Sequence, residues 1–106
     1  MEPNTESSRI LICPPQSIPK ELVVQYLERC RSGLPLLKAA ASQRRHEEAR
    51  VLGHRMKGTG TPYGFPKLTE FGAEVERAAA AEDDQALHRQ VVALEEYLSR
   101  VDIADE

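Results

Sequence analysis

A histidine, a lysine and a glycine stand at positions 54, 57 and 58 of this 106-residue chain, within the run Gly53-His54-Arg55-Met56-Lys57-Gly58-Thr59-Gly60-Thr61-Pro62-Tyr63-Gly64. Residues three and four apart share one face of a helix, so this spacing gathers an imidazole, an ammonium and a position without a side chain. An exposed imidazole is largely uncharged at neutral pH, and its free ring nitrogen is a nucleophile. An ammonium one turn away can neutralise phosphoryl oxygens as a point charge, with no bidentate geometry to satisfy. Glycine inside a helix costs about 1 kcal/mol relative to alanine, which calls for a reason such as the close approach of another molecule. Together the three suggest capture of a phosphoryl group by His54. Each also has a plainer reading. Surface histidines are mostly inert, glycine commonly ends helices, and a lysine in a last turn complements the helix dipole. Residue types and spacing alone leave the two readings about even.

Other chemistries find less support. The glycines and lysine of this run are not in the order of a P-loop, and no strand precedes them. His46, His54 and His88 have no compact metal spacing, and Cys13 and Cys30 match neither a metal nor a redox motif. His46 and His88 read as surface or partly packed residues, and the two cysteines as free thiols of a reducing compartment. The formal net charge of −3, with both signs interspersed, argues against a nucleic-acid protein. The apolar run Ile10–Cys13 is too short for a signal sequence or a membrane span, so the expectation is a soluble, cytoplasmic protein.

The elements that must position His54 follow from composition and periodicity. A chain rich in alanine, leucine, glutamate and arginine, with no tryptophan, favours helix over sheet. Residues 1–9 read as a disordered polar leader, and Ile10–Cys13 as a short extended piece pinned to the domain. From Pro19, the residues Leu22, Val23, Tyr26, Leu27, Cys30, Leu34, Leu37 and Ala41 recur at helical steps. Pro35 predicts a kink near 31–35, or two consecutive helices. A second helix is expected over 46–58, with Ala49, Leu52 and Met56 as its apolar stripe. At about 100° per residue, His54 then points away from the core, with Arg50, Lys57, Gly58 and Thr61 on its side. Pro66 opens a third helix carrying Leu68, Phe71, Val75 and Ala78. After the turn at 82–84, Leu87, Val91, Leu94, Leu98 and Val101 define a fourth, followed by an acidic tail that frays. No run alternates as a strand would. The architecture is therefore all-α: an antiparallel up-down four-helix bundle over 19–102, with a short N-terminal extension over 1–18 and a tail over 103–106.

The run from Leu52 to Gly58, with Gly64 ten residues after His54, resembles the histidine-containing phosphotransfer (HPt) domain. That family's pattern is a histidine, any residue, leucine or methionine, lysine and glycine, with a later glycine opening the next helix. Tyr63-Gly64-Phe65, the helix over 68–76 and Ala78-Ala79-Ala80 are similar to a bacterial branch of the family, and Tyr26–Arg31 sits at the expected distance upstream. The chain departs from the pattern at Pro35, at His46, where an apolar residue is usual, and at Gly60 and Pro62.

The resemblance implies a phosphorelay. His54 would take a phosphoryl group on Nε2 from the phospho-aspartate of one receiver domain and pass it to another. Lys57 would stabilise the phosphoryl charge, and Gly58 would admit the receiver's loops. Arg50, Val51, Arg55 and Thr61 would form the docking rim. Partners would be response-regulator receiver domains or a hybrid sensor histidine kinase, with neither nucleic acid nor membrane involved. The chain would need no cofactor or metal of its own, because Mg²⁺ belongs to the receiver. A monomer is the simplest state. The protein would be a phosphohistidine carrier without independent turnover. The alternative is a non-catalytic helical adaptor that docks a receiver or kinase without accepting phosphate. A kinase-linked dimerisation bundle fits less well, because no glycine-rich nucleotide lid is present.

Overall fold

The computed structural model describes residues 9–104, so the polar leader expected over 1–9 lies outside them save for Arg9. The main elements are helices α1 (Lys20–Ser42), α2 (His46–Thr59), α3 (Pro66–Ala80) and α4 (Asp84–Arg100). The connections 43–45, 60–65 and 81–83 are short, which forces successive helices antiparallel. Each helix packs on the next, and α4 closes back on α1. The all-α, up-down four-helix bundle read from the sequence is the observed architecture.

Local chemistry sets the helix ends. The Pro19 carbonyl accepts the first bonds of α1, from the Leu22 and Val23 amides. Pro66 occupies the first turn of α3, where its missing N–H costs nothing. The Asp83 carboxylate caps α4 by accepting the Ala86 N–H at 3.1 Å. Arg44 and Glu82 take left-handed conformations, with φ of 57° and 53°, in the tight turns before α2 and α4.

Phe65, Leu37, Leu68, Leu87, Leu94, Val23 and Val75 form the fully buried centre. Side chains of this size contribute about 1.5–3 kcal/mol each on burial. No helix among the described residues is long and apolar enough to cross a membrane.

Three details differ from expectation. First, α1 continues through Pro35 as one helix, so of the two alternatives expected there the pair of consecutive helices does not form. Pro35 is exposed while Leu37 is buried, so the lost donor falls on the wet side and core packing carries the helix past it. Second, Leu22 is 45% exposed and falls outside the apolar stripe of α1, which is centred on Val23, Tyr26 and Leu27. Third, the short extended piece expected over Ile10–Cys13 forms, but it pairs with a second strand that no alternating pattern announces. Strand β1 (Ile10–Ile12) pairs in parallel with β2 (Val101–Ile103), in the register Ile10 to Val101 and Ile12 to Ile103. Helix α4 therefore ends at Arg100, and Val101 enters the core from a strand. Arg31 holds this end down, donating to the carbonyls of Leu98 at 3.1 Å and Val101 at 2.6 Å. A three-residue strand is too short to show periodicity, and here partner and core define it.

Candidate functional site

The helix that carries His54 is held unusually close to its neighbour. A Cβ on Gly53 would lie 2.7 Å from the Glu76 amide nitrogen and 2.9 Å from the Gly72 carbonyl oxygen. One on Gly72 would lie 2.3 Å from the Lys57 amide nitrogen, and one on Gly60 would lie 2.5 Å from that of Thr69. Glycine at these three places lets the backbones of α2 and α3 touch. The buried side of α2 is therefore Ala49, Gly53 and Gly60, while Leu52 and Met56, expected as its core stripe, are half-buried beside it. The helix is thus rotated about its axis relative to that stripe, and His54 still faces outward. Gly60 has helical φ and ψ and serves this contact rather than a turn. Gly64 does turn the chain, with φ of +96° and Pro15 against it.

His54 stands on the outer side of α2, its side chain 63% exposed. Glu76 reaches it from α3. One carboxylate oxygen, Oε2, lies 3.0 Å from His54 Nδ1, and the other, Oε1, lies 2.8 Å from Lys57 Nζ. The closest Arg50 nitrogen is 4.0 Å from Oε2. Glu76 is the most sheltered of the three side chains, and bonds from Lys57 and then His54 hold its carboxyl below the usual glutamate range, against the opposing effect of desolvation. An ionised Glu76 can only accept hydrogen bonds, so in the neutral ring the imidazole proton sits on Nδ1 and Nε2 keeps the lone pair.

The sequence-predicted residues fall into two groups. His54 and Lys57 are brought together through Glu76. Gly58 is exposed, and a Cβ there would meet nothing within 4 Å, so no neighbour in the bundle requires glycine. Arg50 turns back to Glu47, with contacts of 3.0 and 2.7 Å, rather than standing free. Val51 is half-buried, Arg55 is exposed, and the Thr61 hydroxyl and amide are both tied to Thr69. Sequence reasoning missed Glu76. Its signal was a carboxylate on the helix predicted to follow, but the register that sets it opposite His54 is fixed by Gly53 and Gly72, which only the packing reveals.

His46, by contrast, is structural. Its Nε2 lies 2.7 Å from Asp84 Oδ1, where it ties the start of α2 to the start of α4, and its side chain is 15% exposed. Near the other end of α2, Tyr26 stacks on Tyr63 with centroids 4.4 Å apart. The Thr59 hydroxyl donates to the Arg55 carbonyl, so Tyr26 donates to Thr59 across the 2.9 Å between them.

Comparison with known families gives a match to the model described as "Hpt domain" over residues 21–104. Among curated proteins and among solved structures there is no match.

Proposed function

The chain belongs to the Hpt domain family, and from that premise we propose that it shuttles a phosphoryl group between His54 and the aspartate of a receiver domain. The observation that carries this reading is the exposed His54 ring, with Nδ1 engaged by Glu76 and Nε2 open to an incoming partner. In the reaction, the Nε2 lone pair attacks the phosphorus of the partner's aspartyl phosphate. The N–P bond forms, the P–O bond to the aspartate breaks, and the aspartate leaves as a carboxylate. The ring keeps its Nδ1 proton and gains positive charge, which the Glu76 carboxylate offsets at 3.0 Å. Lys57 is paired with Glu76 at rest and lies one turn from His54, within range to exchange that partner for the phosphoryl oxygens. Gly58 and the exposed Arg55 lie on the side from which a receiver would arrive.

The test is incubation of the protein with a phosphorylated receiver domain and Mg²⁺, comparing wild type with His54→Gln. Acid-labile, alkali-stable label is expected on the wild type alone. Equal labelling of both, or of neither with several receivers, would refute the proposal and leave the non-catalytic adaptor in its place. Lys57→Ala is expected to slow transfer with helicity unchanged.

A further inference from the structure

Beside the α2–α3 contact, the bundle is open on the other side of α2. Helices α1 and α2 enclose a half-open groove of about 370 Å³ whose floor is Leu34, Leu37, Leu52, Met56 and, from α4, Leu94. That volume lies within the range of small-molecule sites, and the lining is apolar as such sites usually are. Gly33 borders the groove from the middle of α1, and a Cβ there would meet nothing within 4 Å. The bundle's own packing does not require that glycine, which carries a helix cost of about 1 kcal/mol. The groove's charges all have one sign. Arg29 and Arg55 line it, both exposed, and neither has a carboxylate partner among the described residues. Other cations of these helices are paired, as Lys38 is with Glu95 and Arg50 with Glu47.

We propose that the α1–α2 groove binds a free single-chain amphiphilic anion, the acyl chain lying over the leucines and Met56 and the carboxylate held by Arg29 and Arg55. Guanidinium groups suit such a head because they present a planar fork of donors to a carboxylate. The site is distinct from His54 and does not depend on phosphotransfer. Its occupant would cover the Arg55 side of α2.

Titration calorimetry with dodecanoate below its micelle concentration tests the proposal on the intact protein. One saturable site is expected, and dodecyltrimethylammonium should bind at least roughly tenfold more weakly, since one charge-assisted contact is worth about a factor of ten or more. Arg29→Gln with Arg55→Gln should weaken dodecanoate while leaving dodecanol unchanged. Gly33→Leu, which fills open space and favours helix, should abolish binding of both with the circular dichroism spectrum intact. His54→Gln should bind dodecanoate as wild type does, whatever the outcome of the labelling experiment. Equal affinity for the cation, indifference to Gly33→Leu, or binding only to phosphatidylglycerol vesicles would each overturn the assignment. So would binding only to a helical peptide with an acidic, leucine-rich face.

Discussion

Replacing Gly72 with alanine tests the close contact on which the site depends. The new methyl would stand 2.3 Å from the Lys57 amide nitrogen, 2.6 Å from the Gly53 carbonyl oxygen and 2.9 Å from Lys57 Cα. All three are backbone atoms, with no rotamer to change. Carbon contacts relax at about 3.5 Å or more, so α2 and α3 must part by roughly an ångström. Overpacking commonly costs 1–3 kcal/mol and sometimes more, and backbone on both sides places this case at about 4. Alanine returns about 1 kcal/mol in helix propensity, for a net loss of about 3 kcal/mol. In a domain of this size that lowers the melting temperature by roughly 15 °C. Gly58→Ala is the control, because its methyl meets open space and the same propensity gain should raise the melting temperature by about 5 °C. Thermal and urea unfolding, followed by helical circular dichroism, measure both. If Gly72→Ala melts within a few degrees of wild type, the α2–α3 backbone contact is not as described, and the placement of Glu76 opposite His54 goes with it.

Glu76→Gln should slow phosphotransfer by roughly tenfold, at the low end of what a partner orienting a histidine contributes, with helicity unchanged. The wild-type advantage should fade as acidification protonates Glu76, which occurs below the ordinary glutamate range, and a constant ratio down to that pH would contradict the assigned role. The carboxyl of Asp84 is held low chiefly by its bond from His46, so its folded pKa lies below its unfolded value. Its contribution is present above the unfolded value of about 4 and is lost as pH falls through the folded one. Wild type should therefore exceed Asp84→Asn in urea stability at pH 6, and the two should converge in strong acid. The Tyr97 hydroxyl is buried with no hydrogen-bond partner among the described residues, so Tyr97→Phe should be neutral or stabilising by about 1 kcal/mol, whereas a loss would reveal a partner. Burial raises the Tyr26 and Tyr97 phenols, so the unfolded chain loses these protons first and stability should fall above about pH 10.

The helices were legible because each buries a stripe that repeats at helical spacing, with Pro19, Pro66 and Asp83 marking starts in ordinary ways. His54 could be set outward from Ala49, Leu52 and Met56 even though two of those are only half-buried, since the error in helix rotation was smaller than the distance to the opposite face. Of the strands, the extended piece at Ile10–Cys13 was legible, but β2 and the pairing between them were not. Three residues cannot display a period, and β1 and β2 lie some ninety positions apart, so their pairing is a product of the closed bundle. The partner of His54 was hidden for a related reason. Glycine carries no hydrophobic signal, so nothing in the sequence marks Gly53 and Gly72 as the place where two helices meet.

The parallel pairing of β1 and β2 has a mechanical consequence. Tension applied through the two ends of the described chain would draw β1 backward from Ile10 and β2 forward from Ile103. In parallel strands those pulls run along the strands in opposite directions, so the ladder is loaded in shear and its bonds must yield together rather than unzip one by one. The Arg31 contacts to Leu98 and Val101, and the Ala104 amide on the Ile12 carbonyl at 2.8 Å, bear on the same point. Under a pulling force this small clasp would give way before the helices separate, so the bundle would feel tension only after the clasp had failed.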